Sequence, residues 1–458
     1  MKNADMIWNF TRKIALAAAL LSANAMAADG DLDLSFGVGG LTRAGVSDAE
    51  GSILASVVQG DGKIVTCDTH GFLGPTAYDF FVARFNANGT PDSTFGVNGT
   101  TSIDFGAKDY CAGVVVQPDG KVVVGGTKYI EQAFGNGYAM FAAARLNVDG
   151  TLDSTFGGGT GKATVEFEAG SSGAAGIALQ SDGRIILAGR AKVGEPDYEM
   201  DFAVVRLMPN GSLDSGFGMA GKATVGFHDN TSFDYATSVA VDRQGRIVLV
   251  GAANGGTGAA RFLGDGTIDT DFGDNGVVIL GIADARRVAL QRDGKILVAG
   301  DISVISGGLI TDSNAAVLRL LDNGAPDSTF GTSGITEVPF NLGASDPGRD
   351  WASDVVEQSD GKLVLVGAAL HGDTNYTKAV AARLDTAGAL DTSFGDGGKA
   401  VFGFGLSALD SQSFDAVKLV DGRIIAAGFA TVSDTSEYAL DDIVVRLQND
   451  LIFAHGFE

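Results

Sequence analysis

The stretch "TFGGGTGKAT", residues 155–164, admits two readings, and the choice between them decides the fold. A phosphate-cradling loop needs four residues between its first glycine and a Gly-Lys pair, with Ser or Thr next to hold Mg²⁺. Here only three residues separate Gly157 from Gly161, and Ala163 follows Lys162. Recurrence supplies the other reading. "DLSFG" ends at Gly37, "DSTFG" at Gly96, Gly157 and Gly331, "DSGFG" at Gly218, "DTDFG" at Gly273 and "DTSFG" at Gly395. Beyond the Phe-Gly, "GMAGKATV" (218–225) and "GDGGKAVF" (395–402) fill the slot of "GGGTGKATV". The stretch is a turn into a strand, repeated seven times at a period of about 60 residues, and such a period calls for a repeat architecture.

Each period reads as four short strands. "KATVEF" comes first and "AAGIALQ" second. An Asp-Gly turn then leads into a third, as in "QPDGKVVVGG" (117–126), "QSDGRIILAG" (180–189) and "QRDGKILVAG" (291–300). Asp-Gly between apolar β-rich runs is a hairpin signal, because both central residues of the tight turn take positive φ. A fourth strand ends in Ala-Arg-Leu or a variant: "FFVARF", "FAAARL", "FAVVRL", "TGAARF", "AAVLRL", "AVAARL", "DIVVRL". Seven periods of four strands with almost no helical periodicity predict an all-β fold, a seven-bladed β-propeller of four-stranded antiparallel blades. A parallel β-helix is the runner-up, but its coils are shorter than this period.

Two residue types keep a fixed interval across one turn. The fourth-strand arginines are Arg84, Arg145, Arg206, Arg261, Arg319, Arg383 and Arg446; the aspartates three before each Phe-Gly are Asp33, Asp92, Asp153, Asp214, Asp269, Asp327 and Asp391. In six repeats they stand eight apart, which suggests a ladder of Arg–carboxylate pairs holding the connection between blades. Arg446 has Ala454 at the expected position, whereas Asp33 has no arginine upstream within the mature chain. A closed ring resolves both: residues 30–40 dock on blade seven and give Arg446 its partner. The aspartates are read as turn caps and salt-bridge partners, in preference to a metal or catalytic ring.

The pattern Arg-Leu, Asn/Asp-Gly, Leu-Asp-Ser-Thr-Phe-Gly, Gln-x-Asp-Gly-Lys-Ile resembles the delta-60 repeat of exported and surface proteins of bacteria, over residues 31 to about 448. "DRQGR" (242–246) and the terminal "LIFAHGFE" depart from it. The resemblance implies a propeller but transfers no catalytic residue, since the family has no common assigned activity.

The chain opens with Lys2, Arg12 and Lys13, the apolar "IALAAALLSA" and the small-residue "AMA" at 25–27. That order predicts a secretory signal peptide, residues 1–27, cleaved after Ala27. Residues 28–450 form one propeller and 451–458 a tail. Cleavage removes three basic residues and one acidic residue, leaving 29 against 55, a net charge of −26. So acidic a surface repels phosphate backbones and anionic lipid, and no later run is long enough to span a bilayer. The expected protein is a monomer exported to the periplasm or beyond the cell, binding neither nucleic acid nor membrane. Cys67 and Cys111 lie on strands of neighbouring repeats; they either form a disulfide, which needs Cα atoms within about 7 Å, or remain two small buried residues.

Motifs for chemistry are sparse. His70, His228, His371 and His455 form no pair at metal-binding spacing, and no Gly-x-Ser-x-Gly occurs. "DTDFGDNG" (269–276) bunches Asp269, Asp271 and Asp274 and is the weak candidate for Ca²⁺; no other metal or cofactor is expected. The loops between strands one and two and between three and four differ in every blade, while the Asp-Gly and Phe-Gly turns on the opposite face are uniform and read as scaffold. Tyr78, Tyr129, Tyr138, Tyr198, Tyr235, Trp351, Tyr376 and Tyr438 fall on or beside the variable face. Tyr and Trp are enriched at interfaces, and they also pack loop on loop where a strand leaves the core. The expected function is non-catalytic binding, through that face, of a protein or glycan of the envelope or extracellular space. A hydrolase or lyase working at the axial pocket and an architectural envelope component are the alternatives.

Overall fold

The computed structural model describes residues 28–43, 55–71, 78–106, 108–131, 137–168, 170–194, 199–227, 233–306, 309–342, 348–371, 376–404, 411–432 and 439–449. The expected signal peptide, the tail at 451–458, His228, His455, Tyr198 and Tyr438 lie outside the described residues.

Seven four-stranded antiparallel sheets form the ring. Their strands are lettered a to d from the axis outward. Blade 1 comprises Ala55–Val58, Ile64–Gly71, Tyr78–Phe85 and Thr100–Ile103; blade 2, Lys108–Val116, Val122–Ile130, Tyr138–Leu146 and Lys162–Val165. Blade 3 comprises Ser172–Leu179, Ile185–Lys192, Met200–Leu207 and Lys222–Val225; blade 4, Tyr235–Val241, Ile247–Ala253, Gly256–Phe262 and Val277–Ile279. Blade 5 comprises Asp284–Leu290, Ile296–Ser306, Leu309–Leu320 and Ile335–Val338; blade 6, Asp350–Glu357, Leu363–Leu370, Thr377–Leu384 and Lys399–Phe402. Blade 7 takes strands a to c from Gln412–Val420, Arg423–Val432 and Ala439–Leu447, and strand d from Leu41–Arg43 at the other end of the chain.

The sequence period is out of phase with the blade. "KATV" does not open a blade; it pairs with strand c of the blade before it, as Phe202–Val205 pair with Lys222–Val225. The Phe-Gly turn therefore lies inside a blade, and the crossover to the next blade is the variable d-to-a loop. The arginine still bridges blades, by a different bond. In each of the seven pairs Arg Nε lies 2.7–2.8 Å from the Asp Oδ2. The other Asp oxygen accepts the N–H two residues on, capping the turn. The guanidinium lies over the Phe of the Phe-Gly, 4.3–5.1 Å from its centroid. In six blades its Nη1 donates to a carbonyl in the next blade's c–d turn, and Arg383 reaches Asp29 and Asn449 instead. The lysine or arginine of Asp-Gly-Lys adds a second cation, as in Lys121 Nζ to Asp153 at 2.7 Å. In blade 4 Arg246 turns instead to Asp242 and Asp322.

The Phe-Gly glycine is dictated by geometry. Its φ is positive in all seven copies, +50° to +59°, and its N–H donates to the next blade's turn. A side chain there would run into the carbonyl four or five residues on, as at Gly96 and Gly157. A second glycine, on strand b of blades 2 to 7, lies under a β-bulge of strand a. Gly126 and Gly189, for example, face the register shifts Cys111/Gly113 and Ala174/Gly176, where a Cβ would overlap a strand-a carbonyl oxygen.

Apolar side chains pack between blades. Seven clusters of buried residues fill the seven interfaces. At the first, Cys67 and Cys111 are bonded, with Cα atoms 6.4 Å apart. The N-terminal segment completes an interrupted turn: Gly30 N–H donates to Gln448 O, Gln448 N–H to Asp31 O, and Gly37 N–H to Asn88 O of blade 1.

Candidate binding face

The long b-to-c and d-to-a loops emerge on one face of the ring, and three buried acids and one buried amide hold their bases. Asp109 Oδ2 accepts the Phe105 N–H at 2.5 Å, Asp350 that of Phe340 at 2.6 Å, Asp234 that of Phe227 at 3.1 Å, and Gln412 that of Phe404 at 2.9 Å. Burial pushes Asp109 up to about 7, with Asp104 and Asp79 adding to it, and pushes Asp350 up to about 6. Asp201 rises to about 6, by burial and the charges of Asp234 and Glu199. These carboxyls are protonated more readily than surface acids because the charged form loses its water.

Six of the eight aromatic residues expected on this face are described, and all six are half-buried. Tyr78 stacks on Tyr110, centroids 5.7 Å apart, and Tyr110 is 40% exposed. Tyr129 and Tyr138 close the b–c hairpin of blade 2, adjacent in register. Trp351 lies beneath the Arg286 guanidinium at 5.4 Å. Tyr376 accepts the His371 N–H through its carbonyl across the blade 6 loop. They are distributed around the ring and do not form one patch.

The local concentration of binding chemistry is at blades 3 and 4. A cavity of about 300 Å³ opens there, lined by Thr127, Ser172, Arg190, Tyr235 and Thr237. The exposed Arg190 guanidinium is 5.4 Å from the Phe233 ring and 5.9 Å from that of Tyr235. Phe233 is 51% exposed. Tyr235 was expected; Arg190 and Phe233 were not. Aligned strand-b repeats carry the signal for Arg190, since Thr69, Thr127, Ala252, Asp301, Ala368 and Phe429 occupy its position elsewhere.

Two other cavities are described. Strands a from all seven blades line an axial one of about 230 Å³, which contains Arg287, Asp354 and Lys418. Asp354 Oδ2 accepts from Lys418 Nζ and from Val417 N–H, each at 3.0 Å. The other, about 500 Å³ between blades 4 and 5, is on the face read as scaffold. It occurs where "DRQGR" departs from the repeat, between Arg243, Arg246, Arg292 and Asp322. In the weak Ca²⁺ candidate the first residue is engaged otherwise: one Asp269 oxygen accepts from Arg261 Nε and the other from the Asp271 N–H. Sequence reading, which found no histidine pair at metal-binding spacing, also missed that His70 meets Asp68 and the distant Asp442 in the fold.

No curated protein matches the chain. Among solved structures, a polysaccharide lyase, Uly1, is similar at 10% identity and TM-score 0.44, covering 86% of this chain and 89% of that one. A protein of unknown function from Dyadobacter fermentans is similar at 11% identity and TM-score 0.41, over 89% of this chain and 100% of that one. The β-propeller domain of the Trilobed protease from Pyrococcus furiosus has 8% identity and TM-score 0.38, over 84% and 94%. None of these likenesses bears on activity. Five segments, 73–95, 117–156, 180–217, 291–330 and 358–394, match a family described as a β-propeller domain of unknown function, DUF5122, and they fall in blades 1, 2, 3, 5 and 6.

Proposed function

We propose that this chain is an exported, non-catalytic binding propeller of the delta-60 kind, released from its leader after Ala27, which holds an acidic partner through the variable face. The supporting observation is Arg190. In a chain of net charge −24, most arginines among the described residues have a carboxylate within 4.0 Å; Arg190 instead lies exposed against Phe233 and Tyr235 at the rim of a cavity. A planar cation beside an aromatic face suits a carboxylate carried on an apolar ring edge, as in a uronic-acid glycan. Titration with oligouronates, and with neutral oligosaccharides of equal length, tests this. The mature protein should bind the oligouronates alone, more weakly as salt rises, and Arg190→Gln should lose at least about tenfold, the magnitude of one charge-assisted hydrogen bond. Equal binding of charged and neutral sugars, or by parent and variant, would refute it.

One observation favours a second reading, a hydrolase or lyase at the axis: Arg287, Asp354 and Lys418 project into the axial cavity. That reading requires turnover abolished by Asp354→Asn. An architectural envelope component would show neither saturable binding nor turnover.

A further inference from the structure

The interface between blades 7 and 1 differs from the other six at three positions that meet in space. On strand b, blades 2 to 7 have glycine where blade 1 has Asp68: Gly126, Gly189, Gly251, Gly300, Gly367 and Gly428. The described part of strand a in blade 1 starts at Ala55, opposite Cys67, so no described bulge covers Asp68. Two residues on, His70 occupies the position of the buried Ala191, Ala253, Ala369 and Ala430. Across the interface, Asp442 of blade 7 takes the position of Phe80, Phe141, Phe202, Ala315 and Ala379, all fully buried. At the other interfaces this meeting point is apolar except for Lys128 in the position of His70 and Thr257 in that of Asp442, and none holds an acid or an imidazole; Phe202 and Ala253, for example, share one cluster.

From these substitutions and their geometry we propose that Asp68, His70 and Asp442 form a structural divalent-metal site, zinc by preference, that fastens the last blade to the first. His70 Nε2 lies 2.9 Å from Asp68 Oδ2 and 3.5 Å from Asp442 Oδ2, and the three donor atoms lie within 4.8 Å of one another. Tetrahedral zinc with bonds of about 2.0–2.1 Å sets its donors about 3.3 Å apart, so the imidazole-to-carboxylate spacings bracket what the ion needs. The imidazole plane is fixed by stacking on Phe81, centroids 3.7 Å apart and planes 9° from parallel. All three side chains are at most 3% exposed. Among the described residues neither oxygen of Asp442 accepts a well-formed hydrogen bond, His70 Nε2 standing 3.5 Å from Oδ2. A buried carboxylate such as Asp442 with no well-formed hydrogen bond is costly unless a cation offsets it. An imidazole donor disfavours Ca²⁺ and Mg²⁺, and among first-row ions zinc binds mixed N/O sets tightly and accepts four donors. The site is too buried for substrate, so the metal's contribution is to stability, by binding the closed ring and not the open one.

The mature protein, stripped with a chelator and dialysed, should take up one equivalent of Zn²⁺ and melt at least about 3 °C higher at saturating Zn²⁺, with no shift from Ca²⁺. X-ray absorption at the zinc edge should show only N/O donors, one of them imidazole. Asp442→Asn, which keeps shape and hydrogen-bonding capacity, should weaken Zn²⁺ at least about tenfold. The triple variant Asp68→Gly, His70→Ala, Asp442→Phe copies the interface of blades 3 and 4; it should fold and melt independently of zinc and chelator. A stripped protein whose melting ignores Zn²⁺, or a triple variant that binds Zn²⁺ as the parent does, would overturn the site and leave a buried ionic cluster in its place.

Discussion

The interface of blades 3 and 4 and that of blades 7 and 1 do the same structural task with different materials. The first buries fourteen apolar residues in its cluster, the second eight among the described residues. The first joins consecutive stretches of chain. The second joins blade 1 to a blade assembled from both ends of the chain, strand d from residues 41–43 and strands a to c from residues 412–447, and that blade relies on specific polar contacts: Arg446 on Asp33 at 2.7 Å and Gly30 on Gln448 close it, while Gly37 on Asn88 and Arg446 on the Ala87 carbonyl tie it to blade 1. An apolar interface between covalently adjacent blades tolerates sliding, because the chain keeps them together. Where two chain ends must find each other, directional bonds set the register that non-directional burial does not.

The largest test of that difference removes the closing segment. Deleting residues 28–40 takes away Asp33, Phe36 and the Gly37 contact, and should abolish the single cooperative melt; deleting 451–458 should leave it nearly unchanged. Equal melting of the two truncations would mean that the N-terminal segment does not close the ring. The ladder comes next. Arg446→Ala or Asp33→Ala should each cost about 3–5 kcal/mol, as expected when a buried pair loses one partner, and the double variant should cost little more than either. The cycle on Arg206 and Asp214 should give the same coupling within about 1 kcal/mol; strictly additive losses at 446 and 33 would show that closure does not rely on the pair.

Replacing Cys67 and Cys111 by alanine addresses the neighbouring interface. The residues are 44 apart in sequence, so loss of the loop constraint should cost about 4 kcal/mol at most in chemical unfolding. No change would make the bond incidental.

The smallest effect is on pH. Burial raises Asp327, but the Thr329 hydrogen bonds and the Arg319 charge outweigh it and hold Asp327 at about 2. A carboxyl lowered by folding contributes stability that is complete above its ordinary value of 3.8 and lost as pH falls toward 2. Asp109 works in reverse: held at about 7 by burial against an ordinary 3.8, its contribution is full below about pH 4 and is lost as pH rises from there through 7. From these two groups urea midpoints should therefore peak at about pH 4 and fall toward pH 7. Asp109→Asn should flatten the limb above the peak and leave the acid limb alone; an unaltered upper limb would place its origin elsewhere.

Much of the fold was legible because a repeat states its contacts seven times. Arg145 and Asp153 at a fixed interval imply one turn, and the missing partner of Arg446 implies that the ring closes on Asp33. The phase of the blade was not legible. "KATV" is the same strand whether it begins one sheet or ends another, and only hydrogen bonding to Phe202–Val205 assigns it. The candidate site was legible in part: Tyr235 stood out as an aromatic at a variable strand end. Arg190 did not, since one charge in a strand has no meaning until Phe233 folds beside it.

The sequence by itself determined the seven blades, the Phe-Gly turns and the arginine ladder, because each is a local pattern whose backbone demands only certain residues tolerate. Tertiary structure alone decided that Cys67 meets Cys111, that Arg190 rims a cavity, and that His70 meets Asp442 from 372 residues away. Those pairings depend on how the sheets are set side by side around an axis, and packing between blades fixes that distance, which no interval along the chain records.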